Sequence, residues 1–323
     1  MIKEYKKKDN KIIKVVNNDF NDNEKVAVDV LYCGICGTDY QKYIGMENVE
    51  EWGHEIIGKV SNTDDIVTIR TTYPCGKCNN CNSGHSERCS DWSRLNFNGF
   101  SNKILVNPQS LINLDELDIV YALVEPLYVA NSLIKHINPC EDSIYTVVGN
   151  GTIGLLTAFL IKYKYNAKVR LVGRRNLKNK KDFINKIDAE YYNFDNMSEA
   201  LHDSSKIIIT SPYNTIPYVL QNANSYSNIT FNGISKETKI ELEMDKWHFK
   251  NLNIWPSFPH PQSDFSEEIK IIKENKDLLK NIITDIYELD DIEEAFKKLN
   301  DKKQDAIKIL IKCNEVVKWK NGL

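Results

Sequence analysis

Four cysteines lie close together at a spacing suited to a metal ion. The segment reads Cys75-x2-Cys78-x2-Cys81-x7-Cys89, where x is any residue. Four thiolates at this spacing can close a tetrahedron around one zinc ion, and they leave no coordination position open. We therefore predict a structural zinc site that holds the loop around it. The cations of this loop are offset by Glu87 and Asp91, which makes it a weak surface for nucleic-acid phosphates.

A second set of candidate ligands is spread along the chain. Cys36 follows a strand-like run, His54 and Glu55 stand in Gly53-His54-Glu55, and Glu125 stands in Glu125-Pro126-Leu127. Thiolate, imidazole and carboxylate are the ligand types of a catalytic zinc, which keeps one position for water or substrate. Each residue alone is weak evidence, and the set gains its weight from its order and from the neighbouring four-cysteine loop.

A glycine motif indicates a dinucleotide site. Gly149-Asn150-Gly151-Thr152-Ile153-Gly154 lies between a strand-like run, Ser143 to Val148, and a helical pattern. In this context the glycines let the backbone approach a pyrophosphate at a helix N-terminus. We therefore assign Gly149, Gly151, Thr152, Ile153 and Gly154 to cofactor binding.

The end of the second strand of this region carries no acid. An Asp or Glu about 20 residues after the motif usually holds the ribose hydroxyls of NAD. Here the chain reads Gly173-Arg174-Arg175, which offers two cations and no side chain that would repel a 2′-phosphate. These three residues are therefore predicted to bind the cofactor, with NADP(H) preferred over NAD(H).

The surrounding pattern places these sites in two kinds of domain. The first part of the chain has short runs rich in Val and Ile, whereas strand-like and helical runs alternate from about residue 140. That alternation favours an α/β fold with a parallel sheet. Near the C-terminus, Tyr287 to Lys298 is predicted as an amphipathic helix and Ala306 to Cys313 as a strand.

Composition excludes some classes of partner. The net charge is −3 with neutral histidines, so no general attraction to nucleic acid or to a membrane is expected. Lys6-Lys7-Lys8 is interpreted as a solvated stretch, and neither a leader nor a membrane span is recognised. We expect a cytoplasmic protein whose cysteines bind metal, with Cys33, Cys140 and Cys313 in the core.

The order of the motifs resembles that of a known family. Cys33-Gly-x-Cys36-Gly-Thr38-Asp39, Gly53-His54-Glu55, the four-cysteine loop, Glu125-Pro-Leu and the glycine motif follow one another as in zinc-containing medium-chain dehydrogenases/reductases. The resemblance covers nearly the whole chain. It implies a GroES-like, β-rich catalytic domain from residues 1–137 and 258–323, and a Rossmann domain with a doubly wound parallel sheet from 138–257.

The resemblance also implies roles for single residues. Cys36 and His54 are expected to bind the catalytic zinc, and Glu55 and Glu125 are both candidates for the next ligand. We favour Glu125 in the resting site, with Glu55 beside it and able to exchange. Asp39 is placed to support His54. Two zinc ions per chain are expected, one catalytic and one structural.

In this family, zinc acts as a Lewis acid on a substrate hydroxyl while hydride passes to the nicotinamide. Thr38 is placed like the hydroxyl that passes the substrate proton outward. Many relatives have a histidine three residues later, where this chain has Gln41, which cannot act as a base. The end of the proton route therefore stays open.

The resemblance implies a small alcohol, polyol or sugar, or the matching carbonyl compound, as substrate. It also implies a homo-oligomer, either a dimer or a tetramer. Two alternatives remain: a zinc-independent enoyl or quinone reductase on the same fold, and a binding protein without turnover. Cys36 and His54 argue against the first alternative, and the full ligand set with Thr38 argues against the second.

Overall fold

The computed structural model describes residues 1–9, 11–17, 22, 24–45, 48–175, 177–232, 239–258, 260–301 and 305–315. Within these ranges, no helix is both long and apolar enough to span a membrane. The chain divides into two compact units, which are described separately. The first unit combines Met1–Glu125 with His260–Leu323, and the second is Pro126–Pro259.

Strands are numbered in chain order. They are β1 Ile2–Lys8, β2 Lys11–Asn17, β3 Val26–Gly34, β4 Glu55–Val60, β5 Ile66–Ile69, β6 Thr72–Tyr73, β7 Ser93–Arg94, β8 Lys103–Val106, β9 Leu111–Leu114, β10 Ile144–Val148, β11 Lys168–Gly173, β12 Glu190–Asn193, β13 Lys206–Ile209, β14 Asn228–Phe231, β15 Asn253–Pro256, β16 Ile283–Glu288 and β17 Lys308–Lys312.

Helices are numbered in the same way, and short 3-10 turns occur between them. They are α1 Gly37–Ile44, α2 Asn79–Asn82, α3 Val124–Lys135, α4 Thr152–Tyr165, α5 Lys178–Lys186, α6 Met197–Leu201, α7 Ile216–Asn222, α8 Met244–Lys250, α9 Ser266–Glu274, α10 Lys276–Leu279 and α11 Ile292–Asn300.

A seven-stranded sheet forms the centre of the first unit. Its order is β16-β17-β3-β4-β5-β9, and β8 also pairs with β3. The pair of β16 and β17 is parallel, whereas β3 pairs antiparallel with β4, β8 and β17. Trp52, Phe100 and Phe296 are buried at the centre of its core, and the rings of Trp52 and Phe296 stack with centroids 5.2 Å apart.

The second unit contains a six-stranded parallel sheet. Its order is β12-β11-β10-β13-β14-β15, and every neighbouring pair is parallel. Counted from β10, the order is 3-2-1-4-5-6, the doubly wound arrangement of Rossmann folds. The strand order reverses between β10 and β13, and the glycine motif leaves β10 at that point. The predicted Rossmann fold is therefore confirmed.

Two predictions about the ends of the chain were wrong. Tyr287 and Glu288 do not begin a helix, because they lie in β16 and pair with Ile311 and Lys312 of β17. The helix that follows, α11, begins only at Ile292.

Lys6-Lys7-Lys8 is not a solvated stretch but the end of β1, which pairs with β2. Lys7 is 3% exposed. Its ammonium donates to the carbonyl oxygens of Lys42, at 3.1 Å, and Gly45 at the end of α1. These carbonyls have no partner inside a helix, so a buried cation can satisfy them.

Candidate functional site

The four cysteines of the predicted structural site lie together in the first unit. The sulfur atom of Cys78 lies 3.5 Å from that of Cys81 and 3.8 Å from that of Cys89, and the sulfur atoms of Cys75 and Cys81 are 4.0 Å apart. A tetrahedral zinc with Zn–S bonds of about 2.3 Å has sulfur–sulfur edges of about 3.8 Å. The donor set therefore fits one zinc ion.

Backbone N–H groups point at these sulfur atoms. Cys75 Sγ accepts from the N–H groups of Lys77 at 3.5 Å and Cys78 at 3.3 Å. The N–H of Cys81 is the main cause that lowers the pKa of Cys78 to about 6. Such donors stabilise thiolates, which is the form that binds a metal.

A thiol, an imidazole and a carboxylate meet in the same unit. Cys36 lies between β3 and α1, His54 directly precedes β4, and Glu55 is the first residue of β4. Their ligand atoms all lie within 4.8 Å of one another. This donor set fits a catalytic zinc. Thr38 is exposed in the first turn of α1, two residues from Cys36.

Asp39 connects the two segments that carry these ligands. It is fully buried, and its carboxylate accepts from the backbone N–H of Cys36 at 3.0 Å and of Gly53 at 2.9 Å. Its nearest oxygen lies 3.9 Å from His54 Nδ1, which is too long for a hydrogen bond but close enough to attract a positive ring. Asp39 therefore holds the backbone on both sides of the site.

Gly53 must be glycine to allow this arrangement. Its φ is +70°, a region that favours glycine. A Cβ at this position would lie 2.9 Å from the sulfur of Cys33 and 3.0 Å from the backbone nitrogen of Phe100. The sharp turn at Gly53 directs His54 toward Cys36.

A buried ion pair fixes Glu55. The ammonium of Lys308, on β17, lies 2.7 Å and 2.6 Å from the two carboxylate oxygens of Glu55 and also donates to the carbonyl of Ile35 at 3.0 Å. Lys308 is 3% exposed and Glu55 2%. Burial would lower the pKa of Lys308, but Glu55 and then Cys36 outweigh it and raise that pKa.

The pair is possible because Gly34 stands between the two strands. Gly34 is the β3 residue opposite Glu55 on β4 and opposite Leu310 on β17. A Cβ at position 34 would lie 2.1 Å from Glu55 Oε2. Lys308 was not predicted as a site residue, because nothing in its sequence surroundings distinguishes it from the other lysines of the chain.

Glu125 has a different environment. It is 7% exposed in the first turn of α3, and its Oε1 accepts from the side-chain amide of Gln262 at 3.1 Å. The Gln262 oxygen in turn accepts from the backbone N–H groups of Thr71 at 2.7 Å and Thr72 at 3.3 Å, which fixes which end of the amide faces Glu125. Gln262 is fully buried and was also missed.

Opposing charges shape the electrostatics of this site. Burial raises the pKa of Glu125 to about 7, with His54 acting against the rise and Glu55 adding to it. Burial alone would lower the pKa of His54, but Cys36 and Asp39 overcome it and raise that pKa well above its usual value. A concentration of negative groups such as this one attracts a divalent cation.

The glycine motif forms the predicted turn in the second unit. Gly149 has φ +122°, and a Cβ there would lie 2.5 Å from the hydroxyl of Thr210. A Cβ at Gly154 would lie 1.8 Å from the carbonyl oxygen of Gly149, whereas one at Gly151 would meet no heavy atom within 4 Å. Gly149 and Gly154 are thus required for packing, and Gly151 leaves open space before α4, where Thr152 and Ile153 form the first turn.

The predicted phosphate-binding residues lie at the end of β11 and directly after it, in the same unit. Gly173 is buried at the end of the strand, and Arg174 and Arg175 are exposed. The guanidinium of Arg174 lies over the ring of Phe194, 5.1 Å from its centroid. Both arginine side chains are therefore accessible to an anion beside β11.

The remaining cysteines were predicted with mixed success. Cys33 and Cys313 are buried, as expected. Cys140 is exposed and its sulfur lies 2.9 Å from the hydroxyl of Ser143, so its assignment to the core was wrong. It lies in the loop before β10, where a thiol can face solvent.

Comparisons with known proteins agree with this architecture. Residues 22–116 match the family described as "Alcohol dehydrogenase GroES-like domain", and residues 120–312 match "Glucose dehydrogenase C-terminus". Sorbitol dehydrogenase of Halalkalibacterium halodurans is 25% identical over 318 residues, covering 89% of this chain and 91% of that protein. D-xylulose reductase A of Aspergillus oryzae is 25% identical over 329 residues, covering 90% of each.

A solved structure shows the same fold. The 2R,3R-butanediol dehydrogenase of Bacillus subtilis superposes with a TM-score of 0.81 at 20% identity, covering 97% of this chain and 100% of that one. The chain belongs to the zinc-type medium-chain alcohol and polyol dehydrogenases. It is a zinc-dependent, nicotinamide-linked oxidoreductase that acts on alcohol groups, as the sequence predicted.

The ion pair beneath the site generates a prediction about stability. Replacing Lys308 with Met leaves the carboxylate of Glu55 buried without its cation, so the free energy of unfolding should fall by about 3–5 kcal/mol. Lys312→Met is the matched control, because Lys312 lies on the same strand and pairs with Glu288 at 3.2 Å near the surface. Its loss should cost much less, because an ion pair near the surface contributes little to stability. Equal losses in urea unfolding would contradict this account.

Proposed function

We propose that this chain oxidises a hydroxyl group of a small polyol or sugar, or reduces the matching carbonyl, with NADP(H) as the preferred cofactor. The observation that carries the proposal is the cluster of Cys36, His54 and Glu55, whose ligand atoms lie within 4.8 Å of one another. The substrate class follows from the relatives, of which one is a sorbitol dehydrogenase and another a D-xylulose reductase.

We assign two zinc ions to each chain. Cys75, Cys78, Cys81 and Cys89 are proposed to hold the structural ion, and Cys36 and His54 to bind the catalytic ion. Glu125 is proposed as the third direct ligand in the resting site. Both oxygens of Glu55 contact the ammonium of Lys308, whereas the side-chain amide of Gln262 contacts Oε1 of Glu125. Glu55 would then bind the ion only when it gives up part of its contact with Lys308.

When bound, the catalytic zinc supplies Lewis acidity that lowers the pKa of a substrate hydroxyl. The other contributions come from the chain itself. Asp39 keeps Cys36 and His54 at a fixed separation, and Thr38 offers a hydroxyl that can accept the substrate proton. Because Thr38 is exposed, it can pass this proton directly to water, and the amide of Gln41 is not needed as an acceptor.

The two predicted domains are proposed to have separate functions, catalysis and dinucleotide binding. Residues 1–137 and 258–323 provide the catalytic domain with both zinc sites, and residues 138–257 bind the dinucleotide. The open space at Gly151, before the first turn of α4, suits the approach of a pyrophosphate. Arg174 and Arg175 are proposed to bind the 2′-phosphate of NADP(H).

Zinc content should separate the two proposed metal sites. Wild type should contain two zinc ions per chain by elemental mass spectrometry. Cys36→Ala should lose the catalytic ion and fall to background activity while its melting temperature stays close to wild type. Cys78→Ala should lose the structural ion and melt at a lower temperature. Substantial activity in Cys36→Ala would disprove the assignment of the catalytic ligands.

The substrate class is tested with a panel of polyols, sugars and simple primary alcohols, each assayed with NADP+ and NAD+. We expect the highest kcat/KM for a polyol or sugar, because a sorbitol dehydrogenase and a D-xylulose reductase are among the relatives. A simple alcohol that exceeds every polyol in kcat/KM would overturn this substrate class and leave the zinc assignment intact.

Cofactor preference should depend on Arg174. A charged hydrogen bond contributes about 1.5–3 kcal/mol, so Arg174→Ala should lower kcat/KM for NADPH roughly tenfold or more and barely change that for NADH. Arg88→Ala is the control, since it removes an exposed guanidinium from the four-cysteine loop. Wild type that favours NADH would show that this turn does not select the phosphate.

We also propose that the protein is a homo-oligomer, either a dimer or a tetramer. The edge strand β15 supports this, because it ends the parallel sheet and leaves Trp255 52% exposed. Within the part of the chain that the structure describes, β15 pairs only with β14, and a sheet edge with an exposed aromatic residue favours association. Light scattering at micromolar concentration should give two or four times the mass of the chain, and a single monomeric species would contradict the proposal.

A further inference from the structure

The turn after β11 is held in place by a residue of the glycine motif. Asn150 lies between Gly149 and Gly151 and is 8% exposed. Its side-chain nitrogen donates to the carbonyl oxygen of Arg175 at 2.5 Å. The hydroxyl of Tyr191, on the neighbouring strand β12, donates to the carbonyl of Gly173 at 2.7 Å. Both ends of the segment 173–175 are thus fixed through their backbone.

The same asparagine occupies the space beside Gly173. A Cβ at position 173 would lie 2.3 Å from both Cγ and Nδ2 of Asn150 and 2.6 Å from its Oδ1. These distances are far below van der Waals contact. Any side chain at position 173 therefore requires the amide of Asn150 to leave its place and to give up its bond to Arg175.

The position of the Asn150 amide gives a physical reason why the residue at the end of β11 is a glycine. A carboxylate at the end of the second strand is the group that selects NAD, because it holds the ribose hydroxyls and repels a 2′-phosphate. With the amide of Asn150 in place, no such carboxylate fits at position 173. The space that Gly173 leaves is filled by the protein itself and is not free for the cofactor phosphate.

We propose that Asn150 is a specificity-determining residue for the cofactor. An acid at position 173 would displace its amide and break the bond to Arg175, and that bond holds the backbone that carries Arg174 and Arg175. The inference rests on the proposed preference for NADP(H) and adds the residue that imposes it. Asn150 is thus a positioning residue, because it acts through Gly173 and the two arginines.

The test combines changes at both positions. Asn150→Ala removes the bond to Arg175, so the dissociation constant of NADPH should rise about two- to tenfold, while that of NADH changes less than about twofold. Gly173→Ala alone should lower the melting temperature and weaken both cofactors. In the double variant Asn150→Ala/Gly173→Ala, the added Cβ has room, so the losses should be clearly smaller than additive.

An acid at position 173 should then act only when Asn150 is absent. Relative to Asn150→Ala, the variant Asn150→Ala/Gly173→Asp should shift the ratio of kcat/KM for NADH over NADPH by about tenfold or more. Tyr191→Phe/Gly173→Ala is the matched control, because it loosens the same turn without freeing the space beside Gly173. It should show no rescue.

Binding of 2′,5′-ADP and 5′-AMP to wild type, measured by calorimetry, tests the NADP(H) preference separately from the role of Asn150. Tighter binding of 2′,5′-ADP together with non-additive rescue supports the role of Asn150. Tighter binding of 2′,5′-ADP with additive losses, or with an unchanged cofactor ratio in Asn150→Ala/Gly173→Asp, overturns that role alone. Equal binding of the two probes overturns the proposed NADP(H) preference, and the specificity role of Asn150 with it.

Discussion

The buried contact between Lys308 and Glu55 is the constraint around which the metal site is built. It joins β4 to β17 across β3, and it is possible only because Gly34 has no side chain. Two ions in a nearly dry interior stabilise a fold only when each has its partner in good geometry. The position of Glu55 beside Cys36 and His54 therefore depends on both the strand register and the glycine at position 34.

The ion pair also limits the negative charge around a catalytic metal. Asp39, Glu55 and Glu125 are all buried, and the charges of Glu55 and Asp39 raise the pKa of Glu125, so these carboxylates would repel one another strongly without cations. Lys308 neutralises Glu55, and backbone N–H groups of Cys36 and Gly53 satisfy Asp39. Burial raises the pKa of Glu125 to about 7, and the charge of His54 acts against this rise.

The sequence predicted those parts of the molecule that depend on local spacing. The ligand types, the glycine motif and the alternation of strand and helix lie within short segments. The structure brings Cys36, His54 and Glu55 together, whereas Glu125, which was favoured as the resting ligand, is not in this group. Contacts between distant segments could not be predicted. Lys308 lies 253 residues from Glu55, and Gln262 lies 137 residues from Glu125. Lys7 was misinterpreted because a lysine run gives no sign that one ammonium is buried at a helix end.

The glycines show why a motif alone does not determine what a loop recognises. Gly149 and Gly154 are required by contacts within the fold, and of the three motif glycines only Gly151 leaves open space. Gly173 was interpreted as offering no side chain that would repel a phosphate, yet the space beside it holds the amide of Asn150. A glycine in a binding motif can therefore be required by a neighbouring side chain of the protein as well as by a ligand. The backbone at the end of β11 therefore depends on two positions, 150 and 173, that lie in separate segments of the chain and contact each other.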